Sequence, residues 1–105
     1  MKKILIALIL VIAFMVLGCG SPPADRTYSV LYYANANNVT GFPPNDTNRY
    51  TTGMEAIVLD KGELSRSGYV FVHWNTRADG GGSTYTSGDK ITIIHTNVFL
   101  YAIWE

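Results

Sequence analysis

After Met1-Lys2-Lys3 the chain runs through fourteen apolar residues without a break, Ile4 to Leu17. A block this uniform cannot alternate between a core and solvent, so it stands apart from whatever domain follows. A positive start, an apolar stretch of this length and small residues after it read as a secretory signal. As a helix the block would span about 21 Å, short of the ~30 Å hydrocarbon core of a bilayer, so a permanent membrane span is the weaker reading. The run ends at Val16-Leu17-Gly18-Cys19, and Cys19 is the only cysteine in the chain.

That ending resembles the lipobox of bacterial lipoproteins: an aliphatic residue, a tolerated second position, a small residue, then the cysteine. Leu17 stands where Ala or Ser is commoner, a mild departure. The resemblance implies transfer of diacylglycerol to the Cys19 sulfur, cleavage after Gly18 and acylation of the new amine. This chemistry needs a thiol nucleophile at the membrane surface and a small residue before it for the peptidase. Acyl chains worth ~0.8 kcal/mol per buried CH₂ would then anchor the protein stably. The competing reading is an ordinary cleaved signal followed by a stray cysteine.

The expected organisation is a signal helix over residues 1–18, a lipidated cysteine and tether over 19–27, and one domain over 28–105. In the tether, Pro22-Pro23 favours an extended chain that keeps the domain within about 25–30 Å of the membrane. The membrane is thus the first expected partner, through the lipid on Cys19. The expected location is the bacterial cell envelope, with the domain outside the cytoplasm.

Apolar residues make up 48% of the chain, but much of that excess belongs to the first block. Cys19 to Glu105 comprises 87 residues, 35 of them apolar. That is an ordinary share for one small domain, with no room for a second core. In the same stretch six basic residues face eight acidic ones, a net charge of −2. With no basic cluster, nucleic acid is not an expected partner. One cysteine allows no disulfide framework, and lipidation would consume the thiol that redox or thiol catalysis needs. Asn38-Val39-Thr40 and Asn45-Asp46-Thr47 match the glycosylation sequon, which in a bacterial setting reads as chance.

From Tyr28 the apolar period becomes two. Tyr28 to Tyr33 reads as a strand, followed by a long Asn-, Gly- and Pro-rich loop, Ala34 to Asn48. Arg49 to Thr52 and Glu55 to Leu59 read as one strand interrupted at Gly53. Asp60-Lys61-Gly62 turns the chain, and Glu63 to Ser67 is expected to hold one irregular turn. The strongest strand follows Gly68, Tyr69 to Asn75. Asp79 to Ser83, with three consecutive glycines, reads as a flexible loop. Lys90 to Ile94 fits a short strand or one helical turn, and Val98 to Trp104 is the last strand. No segment carries a long 3.6-residue period, so a mainly β domain is expected.

The third and last strands carry a resemblance. Gly68-Tyr69-Val70-Phe71-Val72-His73-Trp74, Ala78-Asp79-Gly80-Gly81-Gly82, and Asn97-Val98-Phe99-Leu100-Tyr101-Ala102-Ile103-Trp104 strongly resemble the Listeria–Bacteroides repeat, the B-repeat module of internalin-type surface proteins. The likeness covers Tyr28 to Glu105. It implies an α+β, β-grasp-like fold: a four-stranded mixed sheet with one short helical or irregular crossing. It also implies adhesive or spacer roles at the bacterial cell surface, without enzymatic activity or cofactors. His73 departs from the pattern, where glycine usually precedes the tryptophan, and Ile94-His95 replaces a common Met-Pro. A single copy also means that a stalk role does not carry over.

Chemistry-bearing constellations are sparse. His73 and His95 are the only histidines, too few for a zinc site without cysteine partners, and no metal is expected. Asp79 and Asp89 around the glycines lack the alternating acidic ligands of a calcium loop. Asp60 with Glu63 could pair as acid and base, yet residues at a turn carry charge for solvation alone. Tyr69, Phe71, Trp74 and Trp104 read better as core than as a ligand platform. No catalytic signal emerges.

One placement stands out. In the last strand Phe99, Tyr101 and Ile103 share the face opposite Val98, Leu100, Ala102 and Trp104. The family usually keeps the first set largely polar. Ser29, Leu31 and Tyr33 are its counterpart in the first strand, with Val70 and Val72 in the third. A sheet with one covered face should expose the other. Leu31, Tyr33, Val72, Phe99, Tyr101 and Ile103 are therefore the candidate patch for a protein or cell-surface partner, or for a second copy. The alternative is that the Ala34–Asn48 loop folds over them. The resulting expectation is a surface lipoprotein with one binding or adhesion module. A second reading is a small envelope accessory or inhibitor lipoprotein that caps a protein partner through the same face.

Overall fold

A computed structural model describes residues 26–105. The expectations for the signal and tether, Gly18 and Cys19 included, lie outside the described residues. The spine of the domain is the last strand, β8, Val98–Trp104. Its strict alternation lets Leu100 and Ala102 be fully buried while Phe99 on the other side stays exposed. β1, Val30–Tyr33, pairs parallel to it, with Leu31 opposite Phe99 and Tyr33 opposite Tyr101. β5, Phe71–Asn75, runs antiparallel along the other side of β8, and β6, Thr84–Tyr85, hairpins back onto β5. The result is a mixed four-stranded sheet in the order β1-β8-β5-β6.

Two antiparallel ribbons complete the domain. β2, Val39–Thr40, pairs with β4, Ser65–Arg66, and β3, Glu55–Ile57, pairs with β7, Lys90–Thr92. The second ribbon supplies the cover for the inner face of the sheet. Ala56, Val58, Ile91 and Ile93 are buried with Val30, Tyr32, Trp74, Leu100 and Ala102 in one core, joined by Leu64 from the segment between β3 and β4. Each large apolar side chain buried there contributes about 1.5–3 kcal/mol. Trp74 sits at the centre, edge-on to Tyr32 at 4.9 Å and to Phe71 at 5.0 Å. Its indole N–H donates to the Leu59 carbonyl, while the Leu59 N–H donates to the Tyr32 hydroxyl, each at 2.9 Å. The segment after β3 is thus fastened to the sheet by its polar groups as well as its apolar ones.

The mainly β reading and the mixed sheet hold. No helix occurs among the described residues, so the short crossing does not take its helical form there. The reason is periodicity: Ala56 with Val58, and Ile91 with Ile93, alternate with exposed neighbours. A helical turn would scatter such residues around its axis, whereas a strand buries them on one side. The irregular turn expected over Glu63–Ser67 contains β4 instead. Of Arg49–Thr52 only Tyr50 pairs, through an isolated bridge to Tyr28. The strand expected from Tyr69 begins at Phe71, although Val70 and Glu105 exchange backbone hydrogen bonds at 2.8 and 2.9 Å.

Candidate interaction face

The face of the sheet away from the core is built by register. Leu31 lies opposite Phe99, and Tyr33 opposite Tyr101, which in turn faces Asn75 across the β5 side. Tyr33 stacks on Tyr101 with centroids 5.1 Å apart and planes 20° from parallel, and on Phe99 at 6.2 Å and 26°. Tyr33 and Phe99 remain 40% and 41% exposed, whereas Leu31, Tyr101 and Ile103 are half-buried. By register, Leu31, Tyr33, Phe99, Tyr101 and Ile103 share one face.

At Val72 the strand pairing is irregular. Between Phe71, opposite Trp104, and His73, opposite Ile103, β5 carries one residue more than β8. This bulge breaks the simple alternation that linked Val72 with Val70. His73 is the residue set against Ile103, and Val72 is the extra one, 37% exposed. In the sequence His73 is set aside as a metal ligand and marked as a departure from the family pattern, without a place on this face. The signal that could have placed it on this face is its standing at the position where the family has glycine, a residue often found at bulges.

The Ala34–Asn48 loop, the alternative cover for this face, borders it at the rim through Ala34 to Asn37. Ala34 to Asn37 border Tyr33 and Tyr101 on one side, and Thr76 to Asp79 border Tyr101 on the other. The glycine loop is more ordered than its composition implies. Asn75, fully buried, accepts from the N–H groups of Arg77 and Gly82 and donates to the carbonyls of Gly80 and Gly82 and to the Thr84 hydroxyl. Gly82 has no room for a side chain, because a Cβ there would collide with the Thr76 hydroxyl, which accepts from the Ser83 N–H, and crowd the Asn75 Oδ1. Asn35, held at φ 58, donates from its amide to both Ala78 and Ala102 carbonyls at 2.9 Å, tying this loop to β8. Asn35 and Asn75 were not recognised from sequence, since nothing marks a buried asparagine apart from a turn residue.

Asp79, Asp89 and His95 are each held in local contacts. Asp79 pairs with Arg77 at 2.9 Å and accepts from the Gly81 N–H, while Asp89 accepts from Thr86 in a different turn. His95 and Thr52 bond each other through the His95 N–H and ring. Among the described residues no group of three or more His, Cys, Asp or Glu gathers as for a metal. Phe71 and Trp104 pack against the core, and Trp104 donates its indole N–H to Ala34 O at 2.8 Å. Tyr69 is instead exposed, with the Arg66 guanidinium 3.6 Å above its ring. A cleft of about 330 Å³ opens beside Tyr50 and Asp46, walled by Met54, Ile57 and Leu59. There the Tyr50 hydroxyl donates to Asp46 at 2.7 Å. Burial and this carboxylate raise the Tyr50 pKa, and burial does the same to Tyr32.

The pairing of β5 and β8 through their aromatic residues is where the sequence likeness was strongest. A family model, the Listeria-Bacteroides repeat domain, matches residues 28–103. The chain belongs to this family. Two Evansella cellulosilytica proteins are similar to it, one named "Putative Gly-rich membrane protein", 36% identical over 78 residues, and one named "Putative membrane protein", 32% identical over 79. The matches cover 74% and 75% of this chain but only 9% and 12% of those proteins, so the repeat is a small part of each. No solved structure matches. Among the described residues no helix is long and apolar enough to cross a membrane.

Proposed function

We propose that this repeat protein is a lipid-anchored component of the bacterial envelope, held outside the cytoplasm through Cys19, whose single domain binds a partner rather than catalysing a reaction. The observation that carries the binding role is the stacked Tyr33, Phe99 and Tyr101 set on an uncovered sheet face. Folding gains little from large aromatic rings left this exposed, and contiguous exposed apolar area favours interaction sites. The anchor is supported by the Val16-Leu17-Gly18-Cys19 sequence, and the names of the two relatives agree with a membrane setting. The parallel β1–β8 pair flanked by β5 supports a β-grasp-like reading, with the β3–β7 ribbon in the place of a helix.

Two measurements test this. Intact-mass analysis of protein extracted from membranes should give a species lacking residues 1–18 and carrying acyl chains on Cys19. An unmodified cysteine removes the anchor. Crosslinking at the cell surface should capture partners with the native chain and lose them with Phe99→Ser/Ile103→Ser. Equal capture by both removes the binding face.

A further inference from the structure

Tyr101 divides the outer face in two. Its ring and that of Tyr33 belong to directly opposed residues on neighbouring strands, yet their centroids are only 5.1 Å apart and their planes nearly parallel. Rings that close must overlap rather than lie side by side. Both therefore stand up from the sheet with their faces turned along its width. One face of Tyr101 is taken by Tyr33. The other looks toward β5, where Thr76, Arg77, Ala78 and Asp79 close an open depression of about 410 Å³ around it. On the Tyr33 side a second depression, about 590 Å³, is lined by Ala34 to Asn37.

The walls of the first depression are built in advance. Asn75 and Asn35 fasten the Thr76–Ser83 loop through the side-chain bonds described above, so little ordering remains to be done when a ligand arrives. Its charges cancel: Arg77 and Asp79 form an ion pair at 2.9 Å with side chains 64% and 63% exposed. The depression thus offers one aromatic face, one strong donor set and one strong acceptor set, with no net charge.

From this arrangement we propose that the slot between Tyr101 and the Arg77–Asp79 pair binds a pyranose unit of a neutral oligosaccharide, with the Asn35–Asn37 depression taking a neighbouring unit. The inference rests on the reading of this face as a binding surface and gives that surface a ligand class. The C–H side of a pyranose carries partial positive charge and packs on the negative face of an aromatic ring. Adjacent sugar hydroxyls both donate and accept, so one can donate to Asp79 while the next accepts from Arg77, in charge-assisted bonds. An anionic ligand meets Asp79 and a cationic one meets Arg77. A flat apolar protein surface would strip water from the ion pair without replacing its hydrogen bonds, which costs stability. The neutral sugar alone meets every group favourably.

The test uses the full chain in detergent micelles against immobilised neutral, uronic-acid and sulfated oligosaccharides. Neutral chains should be retained, and retention should survive a roughly tenfold rise in salt, because no counterions are released on binding an uncharged ligand. Tyr101→Leu and Asp79→Asn should each weaken retention by about tenfold or more, the scale of one lost charge-assisted bond or ring contact. Circular dichroism should confirm that both variants stay folded. Retention of acidic chains alone, loss of binding in salt, or wild-type retention by Asp79→Asn overturns the proposal. If a protein partner is crosslinked in a Phe99-dependent manner and no sugar is retained, the sugar is wrong and the face stands. If neither is captured, both readings fall.

Discussion

The two faces of the sheet are written in the same kinds of residue and do opposite things. On the inner face Val30, Tyr32, Trp74, Leu100 and Ala102 disappear beneath the β3–β7 ribbon, and each polar atom of the aromatic residues finds a backbone partner. On the outer face Tyr33, Phe99 and Tyr101 stack on one another but nothing closes over Tyr33 and Phe99. Aromatic content alone therefore does not distinguish core from surface in so small a domain. What distinguishes them is whether a second layer supplies both apolar contacts and backbone hydrogen-bond partners. The sharpest break of this contrast is Trp74→Ala, which removes the fully buried indole and its bond to Leu59. It should cost about 3–5 kcal/mol, enough to unfold a domain of this size. Urea titration followed by far-UV circular dichroism would measure it; a native midpoint in the variant would mean that the core is not centred there.

A second contrast lies between the faces, at Asn75. Its position on β5 opposes Tyr101, yet it is fully buried, because the Thr76–Ser83 loop wraps its amide. Asn75→Ala leaves the N–H groups of Arg77 and Gly82 without their acceptor, and the expected loss is about 2–3 kcal/mol. Amide exchange should quicken in the loop more than in β8. Uniform quickening across the sheet would instead make Asn75 a global core residue.

Much of the layout was readable before any coordinates. β1, β5 and β8 are short runs rich in β-branched and aromatic residues bounded by polar turns, and that length and composition mark strands. The two-residue strands β2 and β4 were not readable, since two positions have no period; they exist because Gly41 and the turn at Gly62 bring their backbones together. The bulge at Val72 was missed for a related reason, as one extra residue changes pairing without changing composition. The outer patch was legible as a placement of apolar side chains. The loops that rim it were not, because their order comes from Asn35, whose side chain bonds carbonyls far from it in the chain, and from Asn75, whose side chain gathers the turn that follows it.

Two glycines separate a conformational requirement from a packing one. Gly41 has φ 81, and a Cβ there would meet the Glu63 carbonyl oxygen at 2.6 Å; Gly62 has φ 63 and open space around it. Ala at position 62 should cost about 1 kcal/mol, the penalty for a left-handed alanine. At position 41 the backbone clash adds to that penalty, bringing the cost to about 2 kcal/mol. Equal midpoints for Gly41→Ala and Gly62→Ala in urea would show that the β2–β4 ribbon yields rather than resists.

Phe99→Ser probes the outer face from the side of stability. With Phe99 stacked on Tyr33, beside Leu31, and 41% exposed, the loss should stay below about 1 kcal/mol. The contrast with Trp74→Ala is then several-fold for two aromatic residues on strands that pair with each other. A loss matching that of Trp74→Ala would place Phe99 in the core and remove the argument that this face is kept open for a partner.

The smallest effect is set by pH and belongs to the inner side, where Tyr50 is buried with its hydroxyl on Asp46. Burial first, then the Asp46 carboxylate, raise its pKa above the ordinary tyrosine value, and burial raises that of Tyr32. A raised folded pKa means that the folded state keeps its proton when the unfolded chain gives it up. The stability tied to the neutral phenols is complete below about pH 10 and drains away as pH climbs from there through the raised folded values. Urea midpoints should therefore be level on the acid side of that range and fall above it. Tyr50→Phe cannot ionise, so its midpoint should fall less steeply over the same interval, even though the lost bond to Asp46 lowers its starting value. An identical alkaline slope in native protein and Tyr50→Phe would assign the decline to other groups and leave the Tyr50–Asp46 contact without a role in stability at high pH.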